Sequence, residues 1–198
     1  MTAQHDPVDQ HALILAEAER LFRHYGYSKT TMADIAQACQ MSPANLYRFF
    51  ASKSALVEAI CAHITGEAER RLYTIVRSDE SASRRLERLI QHIHNYTLEN
   101  FLDNKKVHEM VVVAMEEQWH AVKAHLDRVC SMIEEIITDG VRRGEFRQQD
   151  TARAARCAQS AMTCLCHPVI VAQKLDDEDR ARPEEIARFI INALKAEA

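Results

Sequence analysis

Apolar side chains recur every three or four residues along most of this chain, with polar residues between them. That spacing gives a helix one apolar face, whereas a half-buried strand would alternate apolar and polar residues. The chain also holds only four glycines and four prolines, too few for the many turns of a sheet protein. The pattern therefore predicts an all-α protein of about nine helices. Their approximate ranges are 7–25, 31–39, 43–50, 52–77, 86–102, 104–116, 119–143, 150–165 and 183–193.

Two of the predicted helices are short, adjacent and separately capped. Thr31 followed by Asp34 is a capping box, in which each side chain bonds a backbone amide of the other residue. Ser42 is a favourable cap for the next helix, and Pro43 stands at its first position, where a missing N–H costs nothing. Two short helices with hydrogen-bonding side chains near the start of the second form the helix-turn-helix unit that reads a major groove.

The residues around this pair carry a more specific resemblance. An aromatic–glycine–aromatic corner at 25–27 precedes a threonine pair, NLY stands at 45–47, and an F-x-x-K run ends at Lys53. With these landmarks, the segment from Leu13 to about Ile64 resembles the amino-terminal domain of TetR/AcrR-type transcriptional repressors.

The resemblance divides the chain into two domains. It implies a DNA-binding domain at 9–69, with its recognition motif at 32–51, and a helical regulatory, effector-binding and dimerisation domain at 70–198. One departure is Phe49, at a position where many family members carry a histidine. The stretch IITDGVRRGEF at 136–146 also resembles repressors that control multidrug efflux genes.

By position in the family motif, eight residues are expected to face the duplex. They are Thr31, Ser42, Pro43, Ala44, Asn45, Tyr47, Arg48 and Lys53. Ser42, the first amides of its helix and the Tyr47 hydroxyl suit phosphate groups. The Arg48 guanidinium matches the edge of guanine, and Lys53 is expected to anchor the DNA backbone.

The charge of the chain agrees with a DNA-binding surface only when it is counted over the helix-turn-helix region alone. The whole chain carries a net charge of −4, which is unusual for a DNA-binding protein. Residues 20–57 nevertheless hold five basic side chains and one acidic side chain, a local charge of +4. A surface of this kind predicts few ion pairs with phosphate and a moderate salt dependence of binding.

Neither catalysis nor a metal centre is predicted. Six cysteines and ten histidines are present, but their spacing does not bring four ligands together, and CLCH at 164–167 would point its side chains apart on a helix. Four of the cysteines, Cys39, Cys61, Cys130 and Cys157, are expected to be small core residues. No Ser-His-Asp, HExxH or phosphate-cradling glycine motif occurs, so no enzyme and no cofactor is expected. The polar amino terminus and the short aliphatic runs predict a cytoplasmic protein without a membrane span.

The remaining helices are expected to dimerise and to enclose an effector. One recognition helix reads too few base pairs to find an operator in a genome, so a homodimer on a palindromic double-stranded operator is expected. By resemblance, the last two helices form the dimer interface; the predicted interface residues are Ala158, Ala161, Leu165, Ile186, Phe189 and Ile190. Large or adaptable apolar side chains are the candidates for an effector pocket: Leu72, Tyr96, Phe101, Met110, Met115 and Trp119.

Three functions stay open at this stage. The first is a repressor that a small-molecule effector releases from its operator. The second is a helix-turn-helix protein without a small effector, controlled by a protein partner. The third is an all-helical enzyme or carrier, which tight operator binding would exclude. The sequence identifies neither the effector nor the target genes.

Overall fold

The computed structural model describes residues 7–102 and 120–195, and the predicted helix 104–116 lies outside them. These residues form ten α-helices and one π-helix, with no strand among them, which confirms the all-α prediction. The helices are α1 Pro7–Tyr25, α2 Met32–Ala38, α3 Pro43–Phe49, α4 Lys53–Val76, α5 Ala82–Thr97, α6 His120–Arg142, α7 Thr151–Ala161, α8 Thr163–Cys166, α9 Pro168–Gln173 and α10 Pro183–Leu194; the π-helix spans Leu98–Leu102. None of the described helices is long and apolar enough to cross a membrane.

The described residues divide into two compact units. Residues 7–64 and 120–122 belong to unit 1, and residues 65–102 and 123–195 belong to unit 2. The boundary falls inside α4, so residues 53–64 of this helix belong to unit 1 and residues 65–76 to unit 2.

Unit 1 is a small helical domain whose apolar faces meet in one core. Its buried side chains are those that the helical periodicity indicated, and they include Ile14, Ala18, Phe22, Ile35, Ala36, Leu46, Leu56, Val57 and Ile60. Helix α1 ends at Gly26, whose φ of 93° is a left-handed conformation that a side chain would strain. Helix α2 packs against both α1 and α3, so the two short helices are held at a fixed angle.

Unit 2 is built around a larger core to which α4 through α8 and α10 contribute. Its fully buried members include Leu72, Leu86, Leu89, Ile90, Met132, Ile133, Ile136, Ile137 and Ala155. Helix α10 packs against α5 and α7, which places the chain's last described helix on this core.

The connection between α6 and α7 is fixed by packing, which accounts for the DGVRRGEF motif. A Cβ added to Gly140 would lie 2.3 Å from Cδ2 of Phe146, so only glycine allows this buried ring to approach. Gly144 ends the helix with a φ of 75°. Glu145 then accepts hydrogen bonds from the amides of Ala82 and Ser83 at 3.0 and 3.2 Å, capping α5. These residues therefore join the end of α6 to the start of α5.

The helix predicted at 150–165 is broken at Met162, which the sequence did not indicate, and the chain breaks again at His167, where Pro168 was expected to end or kink the helix. Pro168 has no N–H and disfavours a helical conformation at the preceding residue, so the chain restarts as α9. Two carbonyls at the break gain partners from α5: His94 Nδ1 lies 2.8 Å from the Leu165 oxygen, and the Thr97 hydroxyl lies 3.4 Å from that of Cys166. The break is thus compensated by hydrogen bonds.

Candidate nucleic-acid interface

The candidate interface is the amino-terminal face of α3 together with the residues that start α2. Ser42, Pro43, Ala44, Tyr47 and Arg48 are all exposed. The opposite side of α3 is anchored by Leu46, which is completely buried, and by Phe50 just beyond the helix. Because one face of an amphipathic helix packs on the core and the opposite face meets solvent, this anchoring presents the polar side chains outward.

The start of α3 has less hydrogen-bonding capacity than the sequence indicated. Pro43 carries no N–H, and the amide of Asn45 already donates to the Ser42 hydroxyl oxygen at 3.2 Å. The amide of Ala44 and the proton of the Ser42 hydroxyl are two of the donors that remain for an anion at this end. Asn45 itself is half-buried. A phosphate at this helix end would therefore meet fewer backbone amides than a full turn supplies.

The large side chains on the exposed face are Tyr47 and Arg48. Tyr47 is 52% exposed, so its ring and hydroxyl are accessible to a binding partner. The Arg48 guanidinium has no ion-pair partner within residues 7–102 and 120–195. Phe49, which replaces the family's histidine, is half-buried. Arg48 is thus a cation that is both exposed and electrically uncompensated by the described residues.

The capping box at α2 is formed as predicted, and it engages Thr31. The Asp34 carboxylate accepts hydrogen bonds from the Thr31 hydroxyl at 2.6 Å and from the Thr31 amide at 2.8 Å. These two hydrogen bonds, the hydroxyl first, lower the pKa of Asp34 below its usual 3.8. The Thr31 hydroxyl is therefore already a donor to a carboxylate, and it would have to exchange that partner to contact a phosphate.

Ion pairs within α1 reduce the local positive charge. Arg20 pairs with Glu17 and Arg23 pairs with Glu19, both at 2.8 Å. The two acidic residues lie just outside the window that gave a charge of +4. Lys29, on the loop before α2, is exposed and has no ion pair among the described residues, and the sequence reasoning did not single it out. Within residues 20–57, Lys29 and Arg48 are thus the exposed cations that have no ion pair among the described residues.

Lys53 is held in a different environment from Arg48. Its ammonium group donates hydrogen bonds to the carbonyl of Tyr27 at 2.9 Å and to the carbonyl of Thr30 at 3.2 Å. It also lies 4.1 Å from the centroid of the Tyr27 ring, a cation–π distance. The side chain is half-buried and lies between the loop that follows α1 and the start of α4.

Only two of the six predicted effector residues, Leu72 and Tyr96, have side chains in the described part of the chain. Leu72 is buried in the core of unit 2, and Tyr96 is half-buried on α5. Phe101 belongs to the π-helix, but its side chain is outside the described residues, as are Met110, Met115 and Trp119.

A buried carboxylate on α4 is a feature of unit 2 that sequence reasoning missed. Glu69 accepts hydrogen bonds from Arg128 Nε at 2.6 Å and from His125 Nδ1 at 2.8 Å, both on α6. Burial would raise the pKa of Glu69, but the hydrogen bonds from Arg128 and His125 outweigh it and lower the pKa. The signal available in the sequence was an acidic residue beside the apolar positions Ala68 and Leu72. Among the described residues, no three metal-ligating side chains come together.

The predicted dimer residues fall into two sets. Ala158, Leu165 and Ile190 are buried in the core of their own unit, so these three side chains are removed from the proposed subunit surface. Ala161 and Ile186 are half-buried, and Phe189 is 69% exposed. Phe189 lines a groove of about 340 Å³ between α7 and α10, together with Ala154, Cys157, Ala161 and Ala193. The exposure of Cys157 contradicts the expectation that it is a core residue.

Comparisons with known proteins agree with this architecture. The family described as "Bacterial regulatory proteins, tetR family" matches residues 14–60, and "Tetracyclin repressor-like, C-terminal domain" matches residues 82–187. The uncharacterised HTH-type transcriptional regulator YhgD of Bacillus subtilis (strain 168) is 24% identical over 149 residues, which are 72% of this chain and 75% of that protein.

Solved structures share the fold over nearly the whole length. A TetR/AcrR-family transcriptional regulator from Thermobifida fusca matches with a TM-score of 0.68 at 22% identity, over 93% of this chain and 95% of that chain. AibR in complex with isovaleryl coenzyme A and operator DNA matches with a TM-score of 0.56 at 21% identity, over 93% of this chain and 97% of that chain. The chain therefore belongs to the TetR family of transcriptional regulators and is a DNA-binding regulator.

Proposed function

We propose that this regulator is a dimeric repressor that recognises a palindromic operator through α3 and is released from it by a small-molecule effector. The observation that carries the proposal is the exposed face of α3, where Tyr47 and Arg48, which has no ion pair among the described residues, project from a helix anchored by Leu46. The functional division is the one expected from the sequence, with DNA binding in residues 9–69 and regulation in residues 70–198.

The contacts to DNA are of two kinds: some position α3 on the DNA backbone, and others read the base sequence. The hydroxyls of Ser42 and Tyr47 and the amide of Ala44 bind phosphate, which fixes the register of α3 without reading sequence. Arg48 reads a base edge, because its fork of donors matches the two acceptors of guanine. Thr31 contributes only where a phosphate replaces its bond to Asp34. Because few cations of the described residues near α3 are free of ion pairs, binding has a moderate salt dependence.

The second copy docks on the groove between α7 and α10. The groove holds one large exposed ring, that of Phe189, beside the small side chains Ala154, Ala161 and Ala193. Small side chains at a contact let helices from two subunits approach closely, and the ring then fills the space between them. A symmetric pair then presents two copies of α3 to half-sites about 34–36 Å apart, one turn of DNA.

Effector release acts through α4. This helix has 24 residues, a length of about 36 Å, and it runs without interruption from Lys53 to Val76. Its second half is bonded to α6 through Glu69 and to α5 through Arg85, whose guanidinium donates to the Val76 carbonyl at 2.8 Å. A ligand that displaces this half of α4 changes the spacing of the two recognition helices. The ligand needs only to bind the widened state better than the DNA-bound state.

The test is reciprocal linkage between ligand and operator. The operator is first selected from random duplexes, and compounds that raise the Tm of the free protein are found in a panel that includes isovaleryl coenzyme A, the ligand named with AibR. An effector is expected to weaken operator binding, and the operator is expected to weaken effector binding by the same factor. A stabilising ligand that bound the free protein and the operator complex equally would favour the alternative, a regulator controlled by a protein partner.

A further inference from the structure

We infer that Lys53 is a positioning residue, whose ammonium group holds the loop between α1 and α2 against the start of α4, and that it does not serve as a phosphate anchor. The inference rests on the proposed function, because the element that Lys53 positions is the start of the DNA-reading pair. It concerns residues 26–31 and 53, all within unit 1.

The ammonium is surrounded by electronegative groups of the protein itself. Two of its three protons are donated to the Tyr27 and Thr30 carbonyls, and its charge lies against the face of the Tyr27 ring. A phosphate contact would have to compete with these partners for a half-buried cation, whereas Arg48 and Lys29 are exposed and carry no ion pair among the described residues.

The carbonyls of Tyr27 and Thr30 lie outside any helix, because the chain leaves the helical conformation at Gly26. The Thr30 hydroxyl donates to the Gly26 carbonyl at 2.9 Å, and the Thr31 carbonyl accepts from the first turn of α2, through Ile35, at 3.2 Å. Lys53 satisfies the carbonyls of Tyr27 and Thr30. Buried carbonyls in a loop need such partners, so the lysine completes the hydrogen bonding of this segment.

The consequence is a bond between distant parts of the chain. Lys53 is 23 residues beyond Thr30, which directly precedes the cap of α2, and α2 packs on α3. The first residue of α4 is thereby tied to the start of the helix that supports α3. A movement of α4 is passed to the reading surface through this bond.

The experiment compares Lys53→Met with Lys29→Met, which removes the same charge from an exposed position on the loop between α1 and α2. Hydrogen exchange is measured first on the free protein, where no DNA is needed. Lys53→Met is expected to speed exchange of the amides in residues 26–34 by about tenfold while peptides from unit 2 stay unchanged, and Lys29→Met is expected to leave both unchanged.

Binding to operator and to random duplex is then measured over a range of salt concentrations. Lys53→Met is expected to weaken operator binding about tenfold more than random binding, with the slope of log affinity against log salt unchanged. A phosphate anchor predicts the opposite: equal losses on both duplexes and a slope that falls by about 0.9 per subunit. That result, or unchanged exchange in residues 26–34, would overturn the inference.

Tyr27→Leu is a second test of the same inference, and it can still be carried out if Lys53→Met does not fold. It removes the ring from beneath the cation but keeps the lysine. Positioning predicts faster exchange in residues 26–34 and a lower operator-to-random ratio, and anchoring predicts undiminished binding. Absence of operator binding by the wild-type protein would refute the proposed function, whereas the exchange measurement would still decide the role of Lys53.

Discussion

Phe189→Glu is expected to convert the dimer into a monomer and to weaken operator binding by more than about a hundredfold, since each copy would bury an unpaired carboxylate at the subunit contact. The ring is 69% exposed on α10, so the substitution leaves the core of its own subunit untouched. Sedimentation gives the mass in solution, and circular dichroism shows that the helices remain.

Asn192→Glu is the matched control for this prediction. Asn192 is exposed on the same helix but does not line the groove between α7 and α10, so its substitution should leave the dimer intact. Ile190 is unsuitable for the test, because it is buried in its own subunit and a charge there would disrupt the fold. An unchanged dimer for Phe189→Glu would place the subunit contact on another surface.

Asp139→Asn is expected to lower the free energy of unfolding by about 3 kcal/mol at pH 7, because it leaves a buried guanidinium without its counter-charge. Asp139 accepts a hydrogen bond from Arg85, which is 4% exposed, and is also paired with Arg142 and with Arg143, the last at 2.8 Å. Arg85 in turn donates to the last carbonyl of α4. The cluster thus joins α4, α5 and α6 within unit 2.

The pH dependence of this effect has a defined sign. Burial would raise the pKa of Asp139, but the hydrogen bonds and charges of the arginines, Arg142 first, lower it from 3.8 to about 2. Because the folded-state pKa lies below the unfolded value, the stabilisation is fully present above pH 3.8 and is lost as the pH falls through 2. Urea unfolding gives the free energy of unfolding of each protein. The difference in this free energy between wild type and Asp139→Asn is expected to be about half as large at pH 3 as at pH 7.

Asp127→Asn serves as the control, since Asp127 is exposed on the same helix and its carboxylate forms no ion pair among the described residues. It should change stability by less than about 0.5 kcal/mol at either pH. A difference for Asp139→Asn that stayed constant from pH 7 to pH 3 would contradict the ion-pair explanation.

The helix-turn-helix region was predictable from sequence because its signals are local. The cap at Thr31, the Ser42–Pro43 start and the left-handed stop at Gly26 all act within four residues of their partners, so they are visible in the chain. The same holds for the periodic apolar positions that form the core of unit 1.

Other features depend on contacts between residues far apart in sequence. Glu145 caps α5 from 63 residues away, and Lys53 bonds carbonyls 23 and 26 residues before it, so spacing along the chain could not reveal either. On α10, Phe189 and Ile190 are both large and apolar, and only the packed structure separates the exposed ring from the buried side chain. The sequence-based list of dimer residues therefore mixes exposed and buried positions of one helix, and the location of the subunit contact stays a prediction.

The central claim, that the exposed face of α3 reads the operator, is tested most directly by one binding measurement on Arg48→Ala. The variant and the wild type are titrated against a selected operator, its single-base variants and a random duplex, with Lys29→Ala as a second exposed cation. Arg48→Ala is expected to lose about 1–3 kcal/mol on the operator and to relax preference at one position of each half-site. Lys29→Ala should weaken all duplexes alike. Equal losses on operator and random DNA for Arg48→Ala would contradict the assignment of α3 as the reading helix.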